Sequence, residues 1–150
     1  MKVRTKRFGE LEVARERVIE FPLGLLGFPE FKRWVLLQAS PQSDFFWLQS
    51  ADTPDLAFIL VRPQNFFGDY QVRVQTEELR AIALENAADG EVFVICNRDA
   101  DHITANLQGP LVFNARTRQA RQVVLCDRQL TTRHEVLVPR REPELVGQAG

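Results

Sequence analysis

The chain is poor in the residues that usually carry covalent and metal chemistry. It has two cysteines, two histidines, one methionine and one tyrosine in 150 residues. Cys96 and Cys126 each follow an apolar, strand-like run, so they read as buried free thiols in a reducing compartment. With His102 and His134 they form pairs six and eight residues apart, without the tight Cys-x-x-Cys or His-x-x-x-His spacing of a structural zinc site. Ser40, Ser43 and Ser50 sit in no Gly-x-Ser-x-Gly elbow, and a triad through His102 or His134 has no supporting context. The eight glycines are scattered, which excludes both phosphate-binding glycine loops. Asp52, Asp55 and Asp69 lie near aromatics, yet turn acids that bond their own backbone are the commoner case.

Long apolar runs are also missing. No stretch approaches the ~20 residues of a membrane span, and the opening Met-Lys-Val-Arg-Thr-Lys-Arg-Phe has no apolar signal core. A cytoplasmic protein without membrane partners is expected. The net charge of −1 gives no general pull toward nucleic acid. Charge is nonetheless uneven: Glu77 to Asp101 holds seven acids against two bases, and His102 to Arg141 holds seven arginines against two acids. Intermixed solvated faces explain this; a dipolar surface that orients a protein partner is the sharper alternative.

What is present is aromatic and β-forming. Short apolar runs separated by polar turns recur at close intervals, which predicts a mainly β, compact barrel-like antiparallel fold. Strands are expected at Lys2 to Thr5 and Gly9 to Val13 as a hairpin, then at Arg17 to Phe21, Trp34 to Leu37, Phe45 to Gln49, Leu56 to Val61 and Gln71 to Gln75. They continue at Glu91 to Asn97, His102 to Leu107, Leu111 to Asn114 and Arg121 to Leu125. Leu23 to Glu30 and Arg62 to Tyr70 read as irregular loops. One short covering helix is expected at about 76–86, capped by Thr76, with Leu79, Ile82 and Ala83 as its apolar stripe. Residues 1–138 should form one domain, with 139–150 a disordered tail.

Residues 44–60, Asp-Phe-Phe-Trp-Leu-Gln-Ser-Ala-Asp-Thr-Pro-Asp-Leu-Ala-Phe-Ile-Leu, are the most informative stretch. Phe45, Trp47 and Gln49 share one strand face, and Phe46, Leu48 and Ser50 share the other. Both faces are apolar, so the strand is covered on both sides or leaves one aromatic face for a partner. Phe66, Phe67 and Tyr70 pose the same choice in a loop punctuated by Pro63 and Gly68. They are a plug for a barrel end or an anchor for a partner, and the plug is favoured because most large apolar side chains end buried. Phe28 and Phe31 in the first loop invite the same weighing. Direct RNA binding through Arg116, Arg118 and Arg121 is the competing function, although these arginines lie away in sequence from the aromatics.

Four blocks in order resemble the flagellar assembly factor FliW family. They are Thr5-Lys6-Arg7-Phe8-Gly9 through Ile19-Glu20-Phe21-Pro22 to Gly27-Phe28; Phe45-Phe46-Trp47-Leu48-Gln49-Ser50 with Pro54-Asp55-Leu56-Ala57-Phe58; Arg62-Pro63 with Phe66-Phe67-Gly68-Asp69-Tyr70; and Thr104 through Val112 with Asn114, Thr117-Arg118, Gln122 to Leu125 and Arg133-His134. The resemblance runs from Val3 to about Leu137. It departs at Leu26-Gly27, where the family usually has Pro-Gly, at Gly68, where it has Pro, and at Ala105 and Gly109, where Val and Ala are typical.

The resemblance implies a barrel-like β-protein of the cytoplasm, with no enzymatic activity and no cofactor. It implies binding to the translational regulator CsrA, relieving repression of flagellin mRNA from beside the RNA site. It also implies chaperone-like binding of new flagellin near its terminal helical region, in competition with CsrA. For a binding module the partner-contacting residues expected here are Phe66, Phe67 and Tyr70, the acids Asp55 and Asp69, and the polar strand face at Thr104 and Asn106. That choice is inferred from the residues, since the motif does not fix it. The alternative remains a small β-barrel that binds RNA itself.

Overall fold

The computed structural model describes residues 1–38, 40–99 and 101–125, together with two short strands at 134–135 and 147–148. The chain opens with a hairpin, β1 (Lys2–Thr5) and β2 (Gly9–Glu12), then β3 (Ile19–Glu20), β4 (Arg33–Gln38), β5 (Phe45–Ser50) and β6 (Ala57–Val61). Helix α1 (Thr76–Ala81) precedes the long strand β7 (Gly90–Asp99). Strands β8 (His102–Ala105), β9 (Leu111–Asn114) and β10 (Ala120–Gln122) follow, then β11 (His134–Glu135) and β12 (Gly147–Gln148).

The pairing is antiparallel along β4, β5 and β6, as the short turns between them require, and β7 pairs antiparallel with β6 after the long 62–89 segment. One edge of β7 carries two partners. Its first half pairs with β9, from Gly90–Asn114 to Phe93–Leu111, and its second half with β8, from Cys96–Ala105 to Asp99–His102. The intervening 106–110 segment bulges out of the ladder. β10 extends β9, β3 extends β4, and one parallel bridge, Glu20–Gln119, spans the gap between them. The result is an open barrel.

Side-chain alternation sorts the core into layers. The barrel interior holds Phe46 and Leu48 of β5 with Phe21, Trp34, Leu36, Leu60, Phe93, Leu111 and Phe113. On the outer face of the same sheet, Trp47 packs with Val3, Val13, Val35 and Leu37 beneath the β1–β2 hairpin. Beside it, Val61, Val94, Cys96, Ile103, Ala105 and Leu107 form a second outer cluster. β5 is thus covered on both faces, which resolves the choice its sequence left open. Arg62 closes one side of the interior, its guanidinium 4.9 Å from the Phe93 ring centre and 5.2 Å from that of Phe46, with Glu91 accepting a hydrogen bond at 3.3 Å.

Four local expectations are corrected. The helix is shorter than 76–86: Ala83 adopts φ 55, and Leu84 and Ala83 donate to the Leu79 and Arg80 carbonyls, a Schellman ending. Its N-cap is Gln75, whose N–H donates to the Glu78 carboxylate at 3.5 Å, so Thr76 is already the first helical residue. Residues 71–75 form no strand; Val72 and Val74 instead pack with Ile82, Val112 and Val123 under the helix. The third expected strand is reduced to Ile19–Glu20, after a 3-10 turn at Arg15–Arg17. Of residues 139–150, Gly147 and Gln148 pair with Gln38 and Leu37, and the rest, like Cys126, lie outside the described residues, so the expectation for the tail stands as it was.

Candidate partner-binding surface

The aromatic loop is built by a proline. Pro63, buried, starts a 3-10 turn at Pro63–Asn65, where its missing N–H costs nothing. Its carbonyl accepts from Phe66 at 3.0 Å and from Phe67 at 2.7 Å, and Tyr70 N–H then donates to the Phe67 carbonyl at 3.0 Å. This coiling turns Phe66, Phe67 and Tyr70 back onto the outer cluster of Val61, Val94 and Leu107. Phe66 stands 6.2 Å from Phe45 and 6.3 Å from Phe67, both tilted. All three aromatics are half-buried, packed beneath and open above. The loop plugs the cluster and keeps an aromatic surface toward solvent.

Tyr70 is fixed at its far end. Its hydroxyl donates to the Leu107 carbonyl at 2.6 Å, and burial pushes its pKa up to about 12. Leu107 is placed for this by the bulge. Asn106 donates its N–H to the Ile95 carbonyl at 2.9 Å, and its Oδ1 accepts from Gln108 N–H at 3.0 Å and Gly109 N–H at 3.2 Å. A side chain at Gly109 would meet the Gln122 amide nitrogen at 2.8 Å and that of Asn106 at 3.1 Å. Asn106 therefore shapes the acceptor that holds Tyr70.

The expected partner residues do not all converge. Phe66, Phe67, Tyr70 and the exposed Asp69 share one end of the sheet, by the start of β5. Asp55, also exposed, lies in the β5–β6 turn at the opposite end of that strand. Thr104, half-buried, faces Asn97 across β7 and Glu135 across β11. Of the other turn acids, Asp52 forms an ion pair with Arg33. Sequence reasoning overlooked Leu107 and Arg62, since a backbone acceptor and a cation between two rings leave no local pattern.

The arginines of the RNA alternative are engaged within the chain. Arg116 lies 3.8 Å from Asp89 and Arg121 lies 3.6 Å from Glu78. Arg118 donates to the Arg17 carbonyl at 3.0 Å, and burial, then the charge of Arg17, lowers its pKa. Among the described residues no three His, Cys, Asp or Glu side chains gather as a metal site. Burial pushes the Cys96 thiol up to about 12, leaving it a poor nucleophile. No described helix is long and apolar enough to cross a membrane.

An open antiparallel barrel with an aromatic loop folded over its outer face is thus the class of scaffold the fold defines. A solved structure of this class, that of a flagellar assembly factor FliW, superimposes with a TM-score of 0.84 at 33% identity, covering 92% of this chain and 98% of that one. The family model described as FliW protein matches residues 2–136. The flagellar assembly factor FliW of Natranaerobius thermophilus is 39% identical over 137 residues, 89% of this chain and 91% of that protein. That of Heliobacterium modesticaldum is 40% identical over 152 residues, covering 100% of this chain and 99% of that protein. The chain belongs to the FliW family of flagellar assembly factors.

Proposed function

We propose that this chain acts in the cytoplasm as a non-catalytic regulator of flagellar assembly. It binds the translational regulator CsrA and so relieves repression of flagellin mRNA. It also binds flagellin as a chaperone-like partner, and the two compete for it. Membership of the family over residues 2–136 is the observation that carries this reading. The half-buried Phe66, Phe67 and Tyr70, with Asp69 beside them, supply an aromatic anchor with an acidic neighbour, suited to a basic RNA-binding partner. Asp55 and the Thr104–Asn106 face enter the proposal as separate, secondary contacts.

Calorimetric titration with CsrA, repeated with flagellin prebound, tests the reading. Tight CsrA binding that flagellin abolishes supports it. Phe67→Ala, with folding retained, should weaken CsrA binding by about tenfold or more; unchanged affinity removes the loop from the interface. Binding to neither partner by a folded sample overturns the proposal. RNA binding that collapses as salt rises would then favour the alternative.

A further inference from the structure

We propose that the cleft between β6 and β7 is a docking site for an extended peptide segment bearing a carboxylate side chain. The site lies beside the Asp55 turn, away from the aromatic loop at the other end of β5.

The cleft follows from an interrupted ladder. β6 and β7 pair at Val61–Val94, Leu60–Ile95 and Ile59–Cys96, and there the pairing stops. Both strands continue, β6 back to Ala57 and β7 on to Asp99. A space of about 430 Å3 opens between them, lined by Trp47, Ala57, Phe58, Ile59, Cys96, Asn97, Arg7 and Arg98. Antiparallel strands direct alternate residues' N–H and C=O to alternate neighbours. The Ser50 N–H donates to the Leu56 carbonyl, so Leu56 and Phe58 point their backbone groups toward β5. Ala57 and Ile59 point theirs toward β7. Ile59 finds Cys96, whereas Ala57 faces the cleft. A sheet edge that ends early in this way can accept an added strand.

The lining sets the chemistry of the occupant. Arg7 stands exposed at the rim, and the lining has no acidic residue. The Arg7 guanidinium lies 4.4 Å from the Trp47 ring centre, which orients it over the cleft floor. Trp47 is 5% exposed, and its indole N–H has no hydrogen-bond partner among the described residues. A buried donor without an acceptor is costly, and a carboxylate drawn in by Arg7 would bring one. Trp47, Ile59 and Cys96 offer an apolar floor for a neighbouring aliphatic side chain. A single guanidinium over such a floor suits one carboxylate better than the run of phosphates of a nucleic acid.

The test is a resonance titration of the 15N-labelled full chain. The probes are acetyl-Thr-Val-Glu-Val-Thr-amide, its Gln counterpart, and an eight-nucleotide uridine RNA. The acidic peptide should shift the Ala57 amide and the Trp47 indole N–H saturably, with the indole assigned by Trp47→Phe. The Gln peptide should bind about tenfold more weakly or worse. Arg7→Glu, a change at an exposed position, should weaken the acidic peptide at least as much. Ala57→Pro, which removes the N–H offered to the incoming strand, should abolish the response while the rest of the spectrum is kept. Unmoved Ala57 and Trp47 resonances, equal binding of the Gln peptide, or tighter binding of the RNA at these resonances would each overturn the proposal.

Discussion

The Tyr70 hydroxyl and the Leu107 carbonyl, 37 positions apart, meet at 2.6 Å across the second outer cluster. This bond ties an irregular loop to an irregular bulge, and each holds the other in shape. Tyr70→Phe keeps the ring and orphans the carbonyl. It should cost about 1–2 kcal/mol of stability, read from urea denaturation. Hydrogen exchange should quicken in 66–70 and at 107–109 ahead of the barrel interior. An unchanged midpoint would show that the bond contributes nothing net.

Alkaline pH should loosen the same cluster. Tyr70 rises from 10.0 to about 12 and Cys96 from 9.0 to about 12, both through burial. For raised acids the stabilisation is complete below the unfolded values and is lost as pH climbs through the folded ones. Stability should therefore hold to about pH 9 and fall between 9 and 12. Comparing urea midpoints at pH 8 and pH 11 checks this. The Tyr70→Phe, Cys96→Ala double variant should lose less over the interval than the parent.

Gln49 organises the β5–β6 turn from within. It is fully buried, and its amide nitrogen faces the carbonyls of Ser50, Thr53, Pro54 and Leu56 at 3.1 to 3.4 Å. Gln49→Leu should cost about 2–3 kcal/mol by leaving acceptors unsatisfied. Gln49→Glu should cost more, because a carboxylate would face four carbonyl oxygens in a dry site. Thermal unfolding of the pair should show this order, and the reverse would refute the assignment.

Asn114 and Ala83 make a matched test at the helix end. Asn114, 1% exposed, donates to the Ile82 and Ala83 carbonyls at 2.9 and 3.1 Å and accepts from Arg116 and Thr117 N–H. Asn114→Asp should lose about 2–4 kcal/mol, as donors become repelled acceptors. Ala83→Gly should gain about 1 kcal/mol, since φ 55 strains a residue with a Cβ. Denaturation midpoints moving in opposite directions would bear this out.

Gly68 is free to change. Its φ is not in the left-handed region, and an added Cβ would meet nothing within 4 Å. Gly68→Ala should stabilise by about 0.4–1 kcal/mol through the unfolded state. It should also order the aromatic loop, seen as slower exchange at Phe67 and Tyr70 amides. A destabilised variant would mean that the loop depends on glycine after all.

The sequence pattern was most legible where alternation and burial agree. The Phe45–Ser50 strand shows its two faces in its spacing, and both are covered as the spacing allows. The opening hairpin was visible in Arg7-Phe8-Gly9, where Gly9 adopts φ 71. The helix end was misread because Ala83 favours helix locally, while Asn114, distant in sequence, captures the carbonyls there. The Gln71 to Gln75 segment alternates like a strand, yet Val72 and Val74 pack beneath the helix with no sheet partner. At the site, the aromatic loop could be found from composition alone. That Asp55 lies a strand's length from Asp69 could not, because only the pairing of β5 with β6 sets their separation. The cleft beside Trp47 was hidden for the same reason: it is defined by where two strands cease to pair.

The lone bridge between Glu20 and Gln119 also dates the assembly of the barrel. Strands β4, β5 and β6 join near neighbours, and such contacts close short loops at small entropic cost. Glu20 and Gln119 stand about a hundred residues apart in the chain, and their meeting brings the Glu20 N–H to the Arg118 carbonyl at 2.9 Å, the Arg118 guanidinium to the Arg17 carbonyl at 3.0 Å and the Phe21 ring to 5.6 Å from that of Phe113. Contacts of such sequence separation form more slowly than local strand pairs, which places this seam late in folding. The barrel is a ribbon first, and its two ends meet last.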